Sequence, residues 1–582
     1  MAEATASTDR DLAAMQQARH LAQRARQAAP TLAEFSQSQI DALVDAMAAA
    51  VRPRAEELAR LAVEETGFGV VADKIQKNLF AAVRVHEFIR PMRTVGVINR
   101  DDSRKVVEIA EPFGVVAAIV PSTNPTSTAI YKILIALKAR CPIVISPHPS
   151  AARCITLAAE IMTAAARAAG APDGAINWMQ TVSLEGTQEL MRHRDVAVIL
   201  ATGGLGLVRA AYSAGKPAYG VGPGNAPCFI ERSADLAKAA SDIILGKAFD
   251  NGLLCSSPNS IVVEAAVADA VRRELVARGG HFLSPAETER LAAALVTPQR
   301  LPNPKLVGRS ALEIAAAVGL DVPPTTRALI AELRGVGRDY PLSIEKLSPV
   351  LSHYVVADWR EGCERCIQIL RYGGMGHTMS IHSENEEVIL EFGLKKPAFR
   401  IVVNTPTTHG SIGLTTGLDP AMTLGCGGSG GNITSDNISP RHLLNIKRLA
   451  YELRPATAFR TGPAPSLDDA PSPRSAGPSA PGPLPLPKVA MAPVNSGIDS
   501  GTVQQHIAAY VAARTGSAPV PLPSPSAPDS PGPAVPFVCE DDVRAAIRQG
   551  RQIPVAERTI ITPAARDLGE ARRVFVQAGW SS

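Results

Sequence analysis

From Asp9 to about Val95, apolar residues recur every three to four positions, as in QIDALVDAMAAAVRPRAEELARLAVEETG. This spacing predicts amphipathic helices, one of them stopped by Gly67. The period then changes. Short apolar runs (GVVAAIVP, PIVIS, VAVILATGG and NSIVVE) alternate with helical stretches such as SAARCITLAAEIMTAAARAAGAP. Strands alternating with crossover helices predict an α/β fold of parallel sheets, with ligands at the carboxyl ends of the strands. After about Glu452 both patterns give way to Pro, Ser, Ala and Gly (RTGPAPSLDDAPSPRSAGPSAPGPLPLP). Such a stretch cannot bury enough apolar surface to fold, and it predicts a disordered Pro-rich C-terminal extension. Two islands interrupt it. Residues 502–514 (TVQQHIAAYVAAR) put Val503, Ile507, Tyr510 and Val511 near one helical face, and residues 537–582 carry enough apolar pattern to fold on a partner.

Composition narrows the partners. A chain of 582 residues is too long for one core and allows several domains. Its 59 basic and 55 acidic residues nearly cancel, so bulk charge demands neither nucleic acid nor an anionic membrane. The N-terminus, MAEATASTDRDLAAMQQARH, lacks the apolar segment of a secretory signal, and runs such as Val115 to Val120 fall far short of the roughly 20 residues that span a bilayer. A cytoplasmic location is expected, with the eight cysteines reduced and small molecules as substrates. Cys363 and Cys366 form a lone CxxC inside EGCERCIQIL and read as two helix cysteines; no metal site is expected.

Among the cysteines, Cys255 stands apart. In KAFDNGLLCSSPNSIVVE it follows a Gly-containing turn and precedes a strand-like run, where a constrained thiol could be exposed, although a cysteine in an apolar run is usually packing. Asn124, in STNPT, reads by itself as a turn asparagine ahead of Pro125. In LATGGLG, Thr202, Gly203, Gly204 and Gly206 stand where a strand ends and a helix begins, so bare backbone could approach a phosphate there. The stretch is not the GxGxxG fingerprint.

Taken in order, VPSTNPTSTAIYKILIALKAR, ISPHPSA, LATGGLGLVRAAYSAGKPAYGVGPGNAP and FDNGLLCSSPNS resemble the CoA-acylating branch of the aldehyde dehydrogenase superfamily, over roughly residues 10–450. The resemblance implies a Rossmann-like cofactor domain and an α/β catalytic domain. It makes Cys255 the nucleophile, Asn124 a donor to the oxyanion, and the glycine loop, Ser146, His148 and Glu345 the residues around NAD. His377, in GGMGHTMSIH, resembles the histidine that could assist deprotonation of Cys255 or of coenzyme A. Hydrolytic relatives carry a water-activating glutamate in a segment that here reads Gly220-Val221-Gly222-Pro223-Gly224-Asn225, without a carboxylate. A short-chain aldehyde, acetaldehyde or propanal, would then be oxidised with NAD and passed to coenzyme A as cosubstrate.

The expected layout is helices and the cofactor domain over residues 1–225, the catalytic domain over 226–425, and a return to the cofactor domain over 426–454. Linkers at 455–501 and 515–536 flank the helix at 502–514, and 537–582 close the chain. The helix resembles peptides that tether enzymes to a bacterial microcompartment shell, so a shell protein is an expected partner, beside a homo-oligomer. A CoA-acylating sulfoacetaldehyde dehydrogenase, a hydrolytic aldehyde dehydrogenase and a non-catalytic shell scaffold stand as alternatives. A scaffold would have no need of Cys255.

Overall fold

The computed structural model describes residues 2–455 and, in pieces, residues 535–577. The expected helix at 502–514 lies outside the described residues. Residues 1–464 form one compact unit and residues 465–582 a second.

The first unit opens with helices. Ser36 and Gln39 form a reciprocal cap at the start of the helix Gln37–Val51. The helix Ala55–Thr66 ends where Gly67 adopts a left-handed φ of 68°, as its position after the last periodic residue predicts. Strands follow: β1 (Gly96–Asp101), β2 (Val106–Pro112), β3 (Val115–Val120), β4 (Ile143–Pro147), β5 (Ile176–Trp178), β6 (Val196–Thr202) and β7 (Ala218–Val221). Then come β8 (Ala226–Ile230), β9 (Pro258–Glu264), β10 (Gly280–Phe282), β11 (Ala328–Glu332), β12 (Val350–Val356), β13 (Gly376–His382), β14 (Ala398–Val403) and β15 (Leu444–Ala450).

These strands make three sheets. A five-stranded parallel sheet runs β5-β4-β3-β6-β7, and a seven-stranded parallel sheet runs β10-β11-β12-β9-β8-β13-β14. The third, β1-β2-β15, is antiparallel. All six residues of β3 are buried, as a parallel sheet covered on both faces requires. In the first sheet the chain steps outward from β3 through β4 and β5, then returns to place β6 on the other side of β3. That reversal opens a crevice beyond the carboxyl ends of β3 and β6. Lys132 braces it from inside: its Nζ donates to the carbonyls of Ile119 (2.7 Å) and Leu200 (2.9 Å), one in each of the two strands. Only Gly222-Pro223-Gly224-Asn225 separates β7 from β8, so one short segment links the two sheets.

Cys363 and Cys366 are both buried in the helix Trp359–Tyr372, where the Lys396 ammonium donates to Cys363 Sγ. In the second unit the helix Glu540–Gln549 accompanies two short parallel strand pairs, and Val538, Val543, Ala546, Ile553, Ala565 and Val574 bury one another. This segment has a small core of its own. No helix among the described residues is long and apolar enough to cross a membrane.

Candidate active site

Beyond the carboxyl ends of β3 and β6 lies a cavity of about 480 Å³. The loop after β3 supplies Asn124, the end of β4 and the turn beyond it supply Ser146 and His148, and the end of β6 and the loop beyond it supply Thr202, Gly203 and Gly204. Cys255 and Glu345 complete the wall from the part of the chain that builds the seven-stranded sheet. Residues more than 200 positions apart thus meet on one surface. Two expected residues stay outside this lining. Gly206 is exposed on the first turn of the helix Leu205–Tyr212 and does not line the cavity. His377 is fully buried in β13.

Cys255 lies between the turn Phe249–Gly252 and β9. Asp250 and Asn251 in that turn take left-handed φ angles of 48° and 53°, which swings the chain back sharply before the thiol. The residue is partly exposed, whereas the other six described cysteines are buried. Burial pushes its thiol up to about 12, with the Glu345 carboxylate and Cys426 adding to the rise and Arg400 opposing it. A high thiol pKa leaves little thiolate near neutrality. Alkylation of Cys255 by iodoacetamide, read by mass spectrometry of the labelled peptide, should therefore quicken by about tenfold per pH unit across roughly pH 7 to 9. Glu345→Gln removes a neighbouring negative charge, so it should lower the thiol pKa and accelerate labelling. The gain should be largest above about 8, the value to which burial raises the Glu345 carboxyl. A rate flat with pH would contradict the raised thiol.

Asn124 is the residue before the helix Pro125–Lys138. Its Oδ1 accepts from Lys77 Nζ at 2.7 Å, and its Nδ2 donates to Thr123 Oγ1 at 3.2 Å. Lys77 and Lys74 share the buried carboxylate of Asp250, Lys74 at 3.0 Å. Burial pulls the Lys77 ammonium down to about 8 against the opposing attraction of Asp250. Sequence reasoning missed this group. Its signal was available in VADKIQKN, where lysines three apart share one face of a helix.

Glu345 Oε1 accepts the Gly224 N–H at 2.8 Å, so this carboxyl is tied to the segment between the sheets. Gly224 itself has no room for a side chain: a Cβ there would come 2.1 Å from the Cys255 carbonyl oxygen and 3.2 Å from His377 Cγ. His377 therefore packs against the same backbone as the nucleophile. Its Nδ1 pairs with Thr378 Oγ1 at 2.9 Å, while its Nε2 is buried without a partner. Burial, with Arg400 nearby, drives the imidazole down to about 3 and keeps it neutral.

The donor set fits a dinucleotide. Thr202 Oγ1 is buried on this wall without a hydrogen-bond partner. Beside it, Gly203 and Gly204 lead into a helix N-terminus, whose free N–H groups suit a phosphate. A Cβ at Gly204 would meet nothing within 4 Å, so the space above that backbone is open.

Parallel sheets, a crevice at the strand reversal and a partly exposed cysteine opposite a glycine loop make a cleft suited to a dinucleotide, with a thiol on its wall. The chain belongs to the aldehyde dehydrogenase family, whose model matches residues 3–294, and within it to the CoA-acylating branch. It is 40% identical over 463 residues to the bifunctional aldehyde-alcohol dehydrogenase of Escherichia coli (strain K12), a match covering 77% of this chain and 52% of that protein. It thus spans about half the length of the bifunctional relatives it matches. An acetylating aldehyde dehydrogenase from Geobacillus thermoglucosidasius is 49% identical with a TM-score of 0.75, covering 76% of this chain and 98% of its own. A propionaldehyde dehydrogenase from Rhodopseudomonas palustris, solved with bound CoA and an acylated cysteine, is 26% identical with a TM-score of 0.67, covering 75% and 97%.

Proposed function

We propose that this chain oxidises a short-chain, uncharged aldehyde with NAD and transfers the acyl group to coenzyme A through a thioester on Cys255. The observation that carries this reading is the meeting of Cys255 and Asn124 on one cavity wall, opposite a glycine loop and helix N-terminus. When bound, the nicotinamide supplies the hydride acceptor.

The steps assigned to this chain begin at Cys255. Its thiolate adds to the aldehyde carbon, and the carbonyl oxygen becomes an oxyanion that accepts hydrogen bonds from the Asn124 side-chain amide and the Cys255 backbone N–H. Hydride loss leaves a thioester on Sγ. The thiolate of coenzyme A then adds to the thioester carbonyl, the oxyanion forms again at the same donors, and the Cys255 thiolate departs with the electron pair of the broken C–S bond. His377, buried outside the cavity lining and driven down to about 3, is too weakly basic to hold the proton of coenzyme A, which passes to solvent as the thiol ionises. Thr202, Gly203 and Gly204 would hold the cofactor phosphates, and Ser146, His148 and Glu345 would flank its riboses. Among the described residues no Lys or Arg lines the cavity, and the nearby Lys74 and Lys77 are committed to Asp250, which favours acetaldehyde or propanal over anionic aldehydes. Tethering to a microcompartment shell through residues 502–514 belongs to the same proposal, supported by the amphipathic pattern and the Pro-rich spacers on either side.

A second reading has one observation in its favour. Among the described residues Glu345 is the sole carboxylate on the cavity wall, and burial lifts it to about 8, close to what a general base for water would need. Hydrolysis would then replace acyl transfer. NADH absorbance with propanal, recorded with and without coenzyme A, decides between them. The acylating reading expects sustained turnover only with coenzyme A and propanoyl-CoA in the product; equal turnover without it, yielding propanoate, would establish the second.

A further inference from the structure

An asparagine amide presents an oxygen and a nitrogen of nearly equal size, and only the nitrogen donates. Half a turn of the side chain exchanges them, so a donor to an oxyanion must be told which way to face. Lys77 gives that instruction. An ammonium has protons and no lone pair to offer, so the Asn124 atom 2.7 Å from Lys77 Nζ has to be Oδ1. Nδ2 is thereby turned away from Lys77; one of its protons goes to Thr123 Oγ1 and the other remains for the cavity that Asn124 shares with Cys255.

Lys77 is in turn held in place. It is only 2% exposed and is ion-paired to Asp250, which is fully buried. Asp250 also binds Lys74 and accepts the Val70 N–H at 2.8 Å, while its own N–H donates to Asp73 at 2.7 Å. Lys74 reaches further, to the Thr123 carbonyl at 3.2 Å, next to Asn124. Asp250 lies in the left-handed turn that delivers Cys255. One carboxylate therefore fastens both the loop that carries the thiol and the loop that carries the amide.

We propose that Lys77, anchored by Asp250, is a positioning residue that fixes the donor face of the Asn124 amide toward the oxyanion formed on Cys255. This rests on the site reading given above. Its test is a double-mutant cycle of Lys77→Met and Asn124→Ala, with kcat and KM measured with propanal, NAD and coenzyme A and thermal midpoints recorded beside them. In the Asn124 background, Lys77→Met should lower kcat about 10- to 100-fold with KM for the aldehyde changed less than about threefold, because the amide contributes chiefly in the transition state. In the Asn124→Ala background the same substitution should cost less than about threefold. Equal losses in both backgrounds, or an unchanged kcat, would overturn the proposal while leaving the site reading intact; full activity of Asn124→Ala would break the site reading itself. Should Lys77→Met not fold, Lys77→Arg and Lys77→Gln carry the test. Arginine only donates and should keep more kcat than glutamine, which also accepts and lets the amide turn over; glutamine matching arginine counts against the proposal.

Discussion

Cys255→Ala is expected to lose all measurable NADH formation from propanal and coenzyme A, a drop of roughly 10⁴-fold or more by analogy with the removal of other catalytic nucleophiles. The other six described cysteines are buried, so none is available to take over. NAD binding, followed by calorimetry, should survive, because the glycine loop and the helix it enters belong to the other sheet. Cys255→Ser should be nearly as inactive. A hydroxyl is a far weaker nucleophile than a thiolate. Turnover retained by either variant would remove Cys255 from the mechanism, and with it the covalent thioester.

Asn124→Ala should reduce kcat by about 10² to 10³, or roughly 3 to 4 kcal/mol, the usual cost of one oxyanion donor. KM for the aldehyde should move little, since the neutral carbonyl oxygen gains less from the amide than the oxyanion does. Asn124→Asp should be at least as damaging. A carboxylate preserves the contact to Lys77 yet replaces the donor with a negative charge beside a developing one. A loss confined to KM in either variant would show that Asn124 binds the substrate and does not serve the transition state.

Much of this fold was legible in the sequence, for reasons local to each segment. The switch from helical spacing to short β-branched runs near Val95 announces the parallel sheets, because a strand covered on both faces must be apolar throughout, as β3 is. Gly67 marks a helix end because a left-handed residue there costs glycine little. The site was legible in a different sense. Four separated windows carried its resemblance to a family, yet no window by itself distinguished Cys255 from a packing cysteine or Asn124 from a turn residue. Gly206 shows the limit of motif reading: it completes LATGGLG but falls on the exposed first turn of a helix, outside the cavity. The histidine of GGMGHT illustrates another. Its pattern suggests a titrating base, whereas full burial beside Arg400 holds it neutral.

By itself the sequence determined the class of fold and the family, because periodicity and short motifs are written in contiguous residues. The tertiary structure alone decided that Lys74 and Lys77 converge on Asp250, that Lys77 grips the Asn124 amide, and that Glu345 is tied to the Gly224 N–H. Those contacts join residues 47 to 176 positions apart. Burial, which lowers the Lys77 ammonium and raises the Glu345 carboxyl, comes into existence only when such distant segments close upon one another.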